Sequence, residues 1–160
     1  MLVAEDPHFY YHDGIDGDAI QRAMALNLKE KRIVRGASTL PQQLAKNLYL
    51  SSSKSILRKS KEMVIALFMD RVLSKQRILE IYLNVAEWGR GLYGAEAASR
   101  FYFQKPASML SMQEAAYLAS LLPNPVFYAD PSHSAQTLER EGHILDALND
   151  PRYQKQLEVP

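Results

Sequence analysis

Apolar residues recur three and four positions apart along almost the whole chain, a spacing that places them on one face of an α-helix. The clearest series are Ile20, Met24, Leu28; Leu40, Leu44, Leu48; Val64, Leu67, Phe68, Val72; and Ile78, Tyr82. No convincing run alternates polar and apolar residues as a half-buried strand does. The pattern therefore predicts a mainly α fold.

Helix start signals agree with this periodicity. Thr39 with Gln42, and Ser111 with Glu114, have the spacing of a capping box, in which each side chain of the pair bonds the other's backbone N–H. Pro41 falls in a first turn, where its missing N–H is not needed. These signals predict helices beginning near residues 40 and 112.

Later in the chain, the pattern predicts helices over 92–104, 111–122 and 134–149. The second should stop at "LPNP", since its prolines do not continue a helix. Glycines in "RGAS" at 35–38 and "EWGRGLYG" at 87–94 indicate flexible joints.

Length and composition indicate one globular domain over 1–160. Nineteen Lys and Arg balance 18 Asp and Glu, giving a net charge of +1, which disfavours a nucleic-acid partner. The absence of Cys excludes disulfides, thiolate metal sites and a Cys nucleophile. There is neither a signal-peptide pattern nor an apolar run of about 18 residues, so the sequence as given predicts no membrane span.

The first candidate site is the acidic stretch "VAEDPHFYYHDGID" at 3–16. Glu5 and Asp6 are adjacent, so at most one of them points at a given reacting atom; one would transfer a proton and the other would position it. His12 could hold the turn by hydrogen bonding, and Asp16 could cap the helix that carries Ile20. The alternative is a solvated acidic loop anchored by its aromatic residues.

The second candidate is "GASTLPQQLAKN" at 36–47. Gln42, Gln43 and Lys46 lie three and four apart, on a polar helix face that could hold a ligand. The hydroxyls of Ser38 and Thr39 stand beside free N–H groups at the helix start, a natural anion site. A capped surface helix with a solvated polar face explains the same residues.

The third candidate is "KSILRKSKE" at 54–62, where Lys54, Arg58, Lys59 and Lys61 accompany Glu62. A cluster of cations with one carboxylate suits a diphosphate substrate and an acid or base group. A solvated helix face with an ion pair between Arg58 and Glu62 is the alternative. The four histidines lack the HExxH spacing of a zinc helix, so metal-binding histidines are disfavoured.

Taken in order, these stretches resemble the five motifs of the peptidoglycan glycosyltransferases of glycosyltransferase family 51. The matching segments are "EDPHFYYHDGID", "GASTLPQQLAKN", "RKSKE", "KQRILEIYLN" and "GRGLYGAEAASRFYF", spread over residues 5–103. "NVAEWGRGLYG" and "LLPNP" resemble the monofunctional enzymes more than the two-domain penicillin-binding proteins. The resemblance implies a lysozyme-like helical domain with an active-site cleft between two lobes.

The resemblance also implies an activity: polymerisation of lipid II into glycan strands, with inversion, β-1,4 bonds and release of undecaprenyl diphosphate. Glu5 would be the general base, and Glu62 the second essential acid, acting directly or through a bound divalent ion, Mg or Mn. Asp6, His12 and Asp16 would support the catalytic loop. Residues matching the family's substrate-binding positions are Ser38, Thr39, Gln42, Gln43, Lys46, Asn47, Lys54, Arg58, Lys59 and Lys61.

The implied partners are lipid II, the growing lipid-linked glycan, and inhibitors of the moenomycin-type phosphoglycolipid class. We expect an N-terminal membrane anchor upstream of this sequence, no organic cofactor, and a location on the outer, periplasmic face of the bacterial inner membrane. Pro41 stands where the family usually has Thr or Ser, and Lys54 where many relatives have Arg. Both differences suggest altered affinity rather than lost function.

Two other functions are compatible with a helical chain of this composition. A lysozyme-like lytic hydrolase also works with a pair of acids, but it does not need the cations of the second and third candidate sites. A helical binding module without catalysis predicts that Glu5→Gln changes no activity.

Overall fold

The protein is described by a computed structural model over residues 1–32, 36–50 and 55–157, with side chains through residue 154. The predicted mainly α fold is confirmed. The helices are α1 (Leu2–Glu5), α2 (Gly17–Glu30), α3 (Leu40–Tyr49), α4 (Ile56–Val72), α5 (Lys75–Val85), α6 (Ala95–Phe103), α7 (Met112–Leu121), α8 (Pro125–Tyr128), α9 (Ser134–Asn149) and α10 (Pro151–Leu157). Single 3₁₀ turns cover Phe9–Tyr11, Ala107–Met109 and Pro131–His133.

Two short strands, β1 (Glu87–Gly89) and β2 (Leu92–Tyr93), pair antiparallel. This hairpin lies where the sequence analysis places a flexible joint, and it shortens the helix predicted over 92–104 to Ala95–Phe103. Strands of three and two residues are too short to show alternation, which is why the pattern missed them.

The capping predictions are confirmed. Both capping boxes form, Thr39 with Gln42 at α3 and Ser111 with Glu114 at α7. Pro41 lies in the first turn of α3, and α7 ends at Leu121, just before "LPNP". Because these signals act within four residues, they could be identified from the sequence.

The chain divides into two compact units, with one boundary after Pro7 and the other within α5. The first unit contains Met1–Pro7 and the chain from Glu80 onward. Its core brings together α1, α7 and α9: the buried Ala116, Ala119 and Ile144 pack against partly buried neighbours that include Met1 and Ala4. The indole N–H of Trp88 on β1 donates to the carbonyl of Leu118 on α7, at 3.1 Å.

The second unit runs from His8 to Leu79 and is built on the packing of α3 against α4. Leu40 and Leu44 of α3 are fully buried, as is Ala66 of α4. Gly14 has a φ of +80°, and a Cβ built there would lie 2.7 Å from the carbonyl oxygen of Ala66. The loop before α2 is therefore pressed directly onto the backbone of α4.

An apolar stripe is exposed on α4, formed by Leu57, Val64, Phe68 and Val72. Their spacing of seven, four and four residues places them on one helix face. Within "MVIALFM" at 63–69, Val64, Leu67 and Phe68 are exposed, whereas Ala66 and Met69 are buried. No helix within the described ranges is both long and apolar enough to cross a membrane.

Candidate active site

Glu5 lies at the end of α1 in the first unit, with 9% of its side chain exposed. The Nη2 atom of Arg140, on α9, is 3.9 Å from Oε1 of Glu5. The phenol of Tyr82 on α5 is buried; burial raises its pKa, and the negative charge of Glu5 raises that pKa further. Glu5 is thus a largely enclosed carboxylate with a cation and a phenol nearby.

Asp6 directly follows Glu5 and is buried. Its backbone N–H donates to the carbonyl of Leu2 at 2.8 Å, which closes the single turn of α1. Asp6 is thus a buried carboxylate in the turn that ends α1, and its support of Glu5 stays a prediction.

His12 and Asp16 belong to the second unit and lie in the segment that leads into α2. As predicted, Asp16 caps α2: its Oδ1 accepts from the N–H of Ala19 at 2.7 Å. Its Oδ2 lies 3.1 Å from Nδ1 of His8. Burial alone would raise the pKa of Asp16, but the bonds from Ala19 and His8 hold it below its usual value.

Lys75, at the start of α5, secures the same loop and was not identified from the sequence. Its Nζ donates to the carbonyl of His12 and to Oδ1 of Asp70, the latter at 2.7 Å, and lies 5.0 Å above the ring of Phe9. The loop is therefore bound by its backbone to a residue more than sixty positions later in the chain.

Thr39 and Gln42 have structural roles that differ from the expected ligand face. The hydroxyl of Thr39 donates to the carbonyl of Gly14 at 2.6 Å and accepts from the N–H of Gln42 at 3.4 Å. Gln42 is 1% exposed, and its Oε1 accepts from the N–H of Thr39 at 2.9 Å. Both side chains are thus buried and engaged in the capping box, and their binding of substrate stays a prediction.

Glu62 on α4 is a buried carboxylate held by two cations. Its side chain is 3% exposed, and Oε2 accepts from Nη1 of Arg58 at 2.6 Å. Oε1 accepts from Nζ of Lys59, which also donates to Oγ of Ser38 at 2.8 Å. The predicted pair between Arg58 and Glu62 is confirmed, and the structure adds Lys59 and Ser38 to form the Glu62 cluster: Ser38, Arg58, Lys59 and Glu62.

The remaining predicted binding residues do not belong to the Glu62 cluster. Lys46, Asn47 and Lys61 are exposed, and Gln43 is partly buried. Lys61 lies on the face of α4 that carries the apolar stripe, as helical spacing from Leu57 and Val64 requires. Lys54 lies outside the described residues.

The donor set around Glu62 does not suit the expected divalent ion. Both carboxylate oxygens contact cationic side chains, whereas Mg²⁺ needs several oxygen ligands. Within residues 1–32, 36–50 and 55–157, no group of three or more His, Cys, Asp and Glu side chains could hold a metal. The divalent ion stays a prediction.

Arg140 and Tyr82 are the neighbours of Glu5 that sequence reasoning missed. Both lie far along the chain from Glu5, and neither belongs to a local spacing pattern that includes it. The packing of α1 against α9 reveals Arg140, and the electrostatic effect of Glu5 on the phenol of α5 reveals Tyr82.

Comparison with known proteins places this sequence in a family. The family model described as "Transglycosylase" matches residues 1–149.

The curated relatives that the chain matches include three proteins named biosynthetic peptidoglycan transglycosylase. The protein of Chromobacterium violaceum is 50% identical over 145 residues, covering 91% of this chain and 63% of the relative. That of Methylobacillus flagellatus is 48% identical over 147 residues, covering 92% and 64%. That of Thiobacillus denitrificans is 53% identical over 128 residues, covering 80% and 55%. The chain thus spans less than two thirds of the length of each of these relatives.

Proposed function

Because this chain belongs to the transglycosylase family, we propose that it is a peptidoglycan glycosyltransferase that polymerises lipid II into glycan strands. The relatives' shared name, biosynthetic peptidoglycan transglycosylase, supports the reaction class. The observation that carries the proposal is the Glu62 cluster, in which a buried carboxylate holds two cations beside a serine hydroxyl. A lytic hydrolase has no need of such a cluster.

Glu5 is proposed as the general base. Its carboxylate takes the proton from the 4-hydroxyl of the acceptor sugar, and that oxygen forms a bond to the anomeric carbon of the donor. The bond from the anomeric carbon to the lipid diphosphate breaks, and its electron pair leaves on the diphosphate oxygen. Attack on the face opposite the α-linked diphosphate inverts the centre and gives a β-1,4 bond.

The Glu62 cluster is proposed to act at the diphosphate. The negative charge on the leaving group grows as its bond to the sugar breaks, so fixed cations stabilise the transition state more than the ground state. Arg58 offers a planar fork that fits phosphate, while Lys59 and Ser38 offer a point charge and a hydroxyl. Glu62 keeps the two cations together in the absence of substrate, because unpaired like charges repel each other.

The apolar stripe of α4 supports the proposal that the substrate is linked to a lipid. Exposed Leu57, Val64, Phe68 and Val72 on one face are unusual for a helix surrounded by water. We therefore propose that the protein works at the outer, periplasmic face of the bacterial inner membrane. Phosphoglycolipids of the moenomycin type, which combine a lipid with a phosphate, would then compete with the donor.

The test is incubation of labelled lipid II with the protein in detergent, with products separated as glycan ladders on a gel. Ladders that disappear on addition of a moenomycin-type phosphoglycolipid support the proposal. Finished cell-wall peptidoglycan is the second substrate. Release of soluble fragments from it, with no ladders from lipid II, would contradict the proposal and favour the lytic alternative.

A further inference from the structure

Arg140 is fixed in place by contacts on two sides besides Glu5. Its Nε donates to the carbonyl of Ser120 at the end of α7, at 3.2 Å. Its guanidinium carbon lies 5.1 Å from the ring centroid of Tyr128 on α8, a cation–π distance. A side chain held by a carbonyl and an aromatic ring has little rotamer freedom left, so its third contact, to Glu5, is directed.

The contact to Glu5 differs in kind from the one that holds Glu62. Arg58 lies 2.6 Å from Glu62, a direct charged hydrogen bond, whereas Arg140 lies 3.9 Å from Glu5. The longer distance supplies charge stabilisation without a direct hydrogen bond to the carboxylate oxygen. Arg140 can therefore favour the ionised form of Glu5 without itself occupying the lone pair that must accept a proton.

Burial makes such a cation necessary. Transfer of a carboxylate into a largely enclosed site favours its protonated form, in which it is not a base. Among the described residues, the titratable groups on which the charge of Glu5 acts include the phenol of Tyr82 on α5 and the amino group of Met1, and the carboxylate of Asp6 is adjacent in sequence.

We propose that Arg140 is a positioning residue for Glu5 that keeps its carboxylate ionised and ready to accept the proton of the acceptor hydroxyl. This inference rests on the proposed role of Glu5 as the general base. The inference predicts that removal of the Arg140 cation causes a loss of activity that depends on pH. Without the cation, Glu5 is protonated at higher pH, so activity falls on the acid side and returns as the pH rises.

The kinetic experiment measures kcat/KM for lipid II polymerisation from about pH 5.5 to about pH 8.5. Arg140→Gln should lose about three- to tenfold at the acid end and approach the wild type at the alkaline end. Arg140→Lys keeps the charge and should restore most of the acid-side activity. The control is Arg100→Gln, which removes an exposed arginine of the same unit paired with Glu96; its profile should match the wild type.

A second measurement reads the ionisation of Glu5 without any activity. In protein labelled with ¹³C at the glutamate carboxyls, the Glu5 resonance is assigned by its absence in Glu5→Gln and followed against pH. The titration midpoint should be higher in Arg140→Gln than in the wild type or Arg140→Lys. Met1 is the same in every variant, so its charge does not contribute to the difference.

These measurements separate the two proposals. A wild type that forms no ladders would contradict the polymerase activity, while the carboxyl titration would still test Arg140. An equal loss at every pH, or an unchanged Glu5 titration in Arg140→Gln, would overturn the role of Arg140. If Arg140→Gln does not fold, Tyr128→Leu removes the ring beneath the guanidinium and should shift the profile in the same direction by less; an unmoved profile would then overturn the inference.

Discussion

Lys59 on α4 donates a hydrogen bond to the hydroxyl of Ser38, 2.8 Å away, just before the start of α3. The same ammonium contacts Glu62, so one side chain joins the helix start to the buried carboxylate. The second and third sequence motifs are thereby brought into one cluster, although twenty-one residues separate Ser38 from Lys59.

Glu62→Gln should lower polymerisation by at least about 100-fold, because it leaves Arg58 and Lys59 without the carboxylate that holds them at the diphosphate. Breaking a buried ion pair should also lower the free energy of unfolding by about 3 kcal/mol. Activity per folded molecule is measured by the ladder assay and stability by urea denaturation. Glu139→Gln is the control, since Glu139 is exposed and only weakly paired, with His143 at 3.8 Å. Wild-type activity in Glu62→Gln would contradict this account.

Gly14→Ala should destabilise the protein by about 2 kcal/mol or more, since a left-handed φ and a close contact with the backbone of Ala66 penalise any Cβ. Gly142→Ala is the matched control. Gly142 lies within α9, and a Cβ there would meet nothing within 4 Å, so this variant should gain about 0.5 to 1 kcal/mol. Thermal denaturation of both variants measures the difference. Equal melting temperatures would show that the loop does not depend on this close approach.

Thr39→Val should cost about 1 to 2 kcal/mol, because it removes both the cap of α3 and the bond to the carbonyl of Gly14. Ser111→Ala removes the equivalent cap from α7, where Ser111 is exposed, and should cost less. Denaturation midpoints of the two variants are compared directly. A larger loss in Ser111→Ala would contradict the structural role assigned to Thr39.

Asp16 makes stability depend on pH in the acid range. Its pKa is below the usual value in the folded state, so its contribution is fully present above the unfolded value and is lost as pH falls through the folded one. Melting temperatures of the wild type and Asp16→Asn should therefore differ most near neutral pH and converge in acid. Curves that stay parallel down to about pH 2 would contradict the assigned shift.

Local signals predicted much of this fold. The Thr39 and Ser111 capping boxes and the Asp16 cap act within a few residues, so the sequence contains all the information needed to place them. The helix-face argument placed Gln42 on a polar face but did not show that the capping box with Thr39 leaves its side chain only 1% exposed. Contacts from Arg140 to Glu5 and from Lys75 to His12 depend on packing between distant segments, which neither periodicity nor spacing encodes.

The most direct test of the central claim is the rate of glycan ladder formation from lipid II by Glu5→Gln beside the wild type. The amide keeps the shape of the side chain but is not a base, so a loss of at least about 100-fold is expected in protein that stays folded. Binding of a moenomycin-type phosphoglycolipid should be retained, because the Glu62 cluster is unchanged. Ladders formed by Glu5→Gln at the wild-type rate would show that Glu5 does not take the acceptor proton.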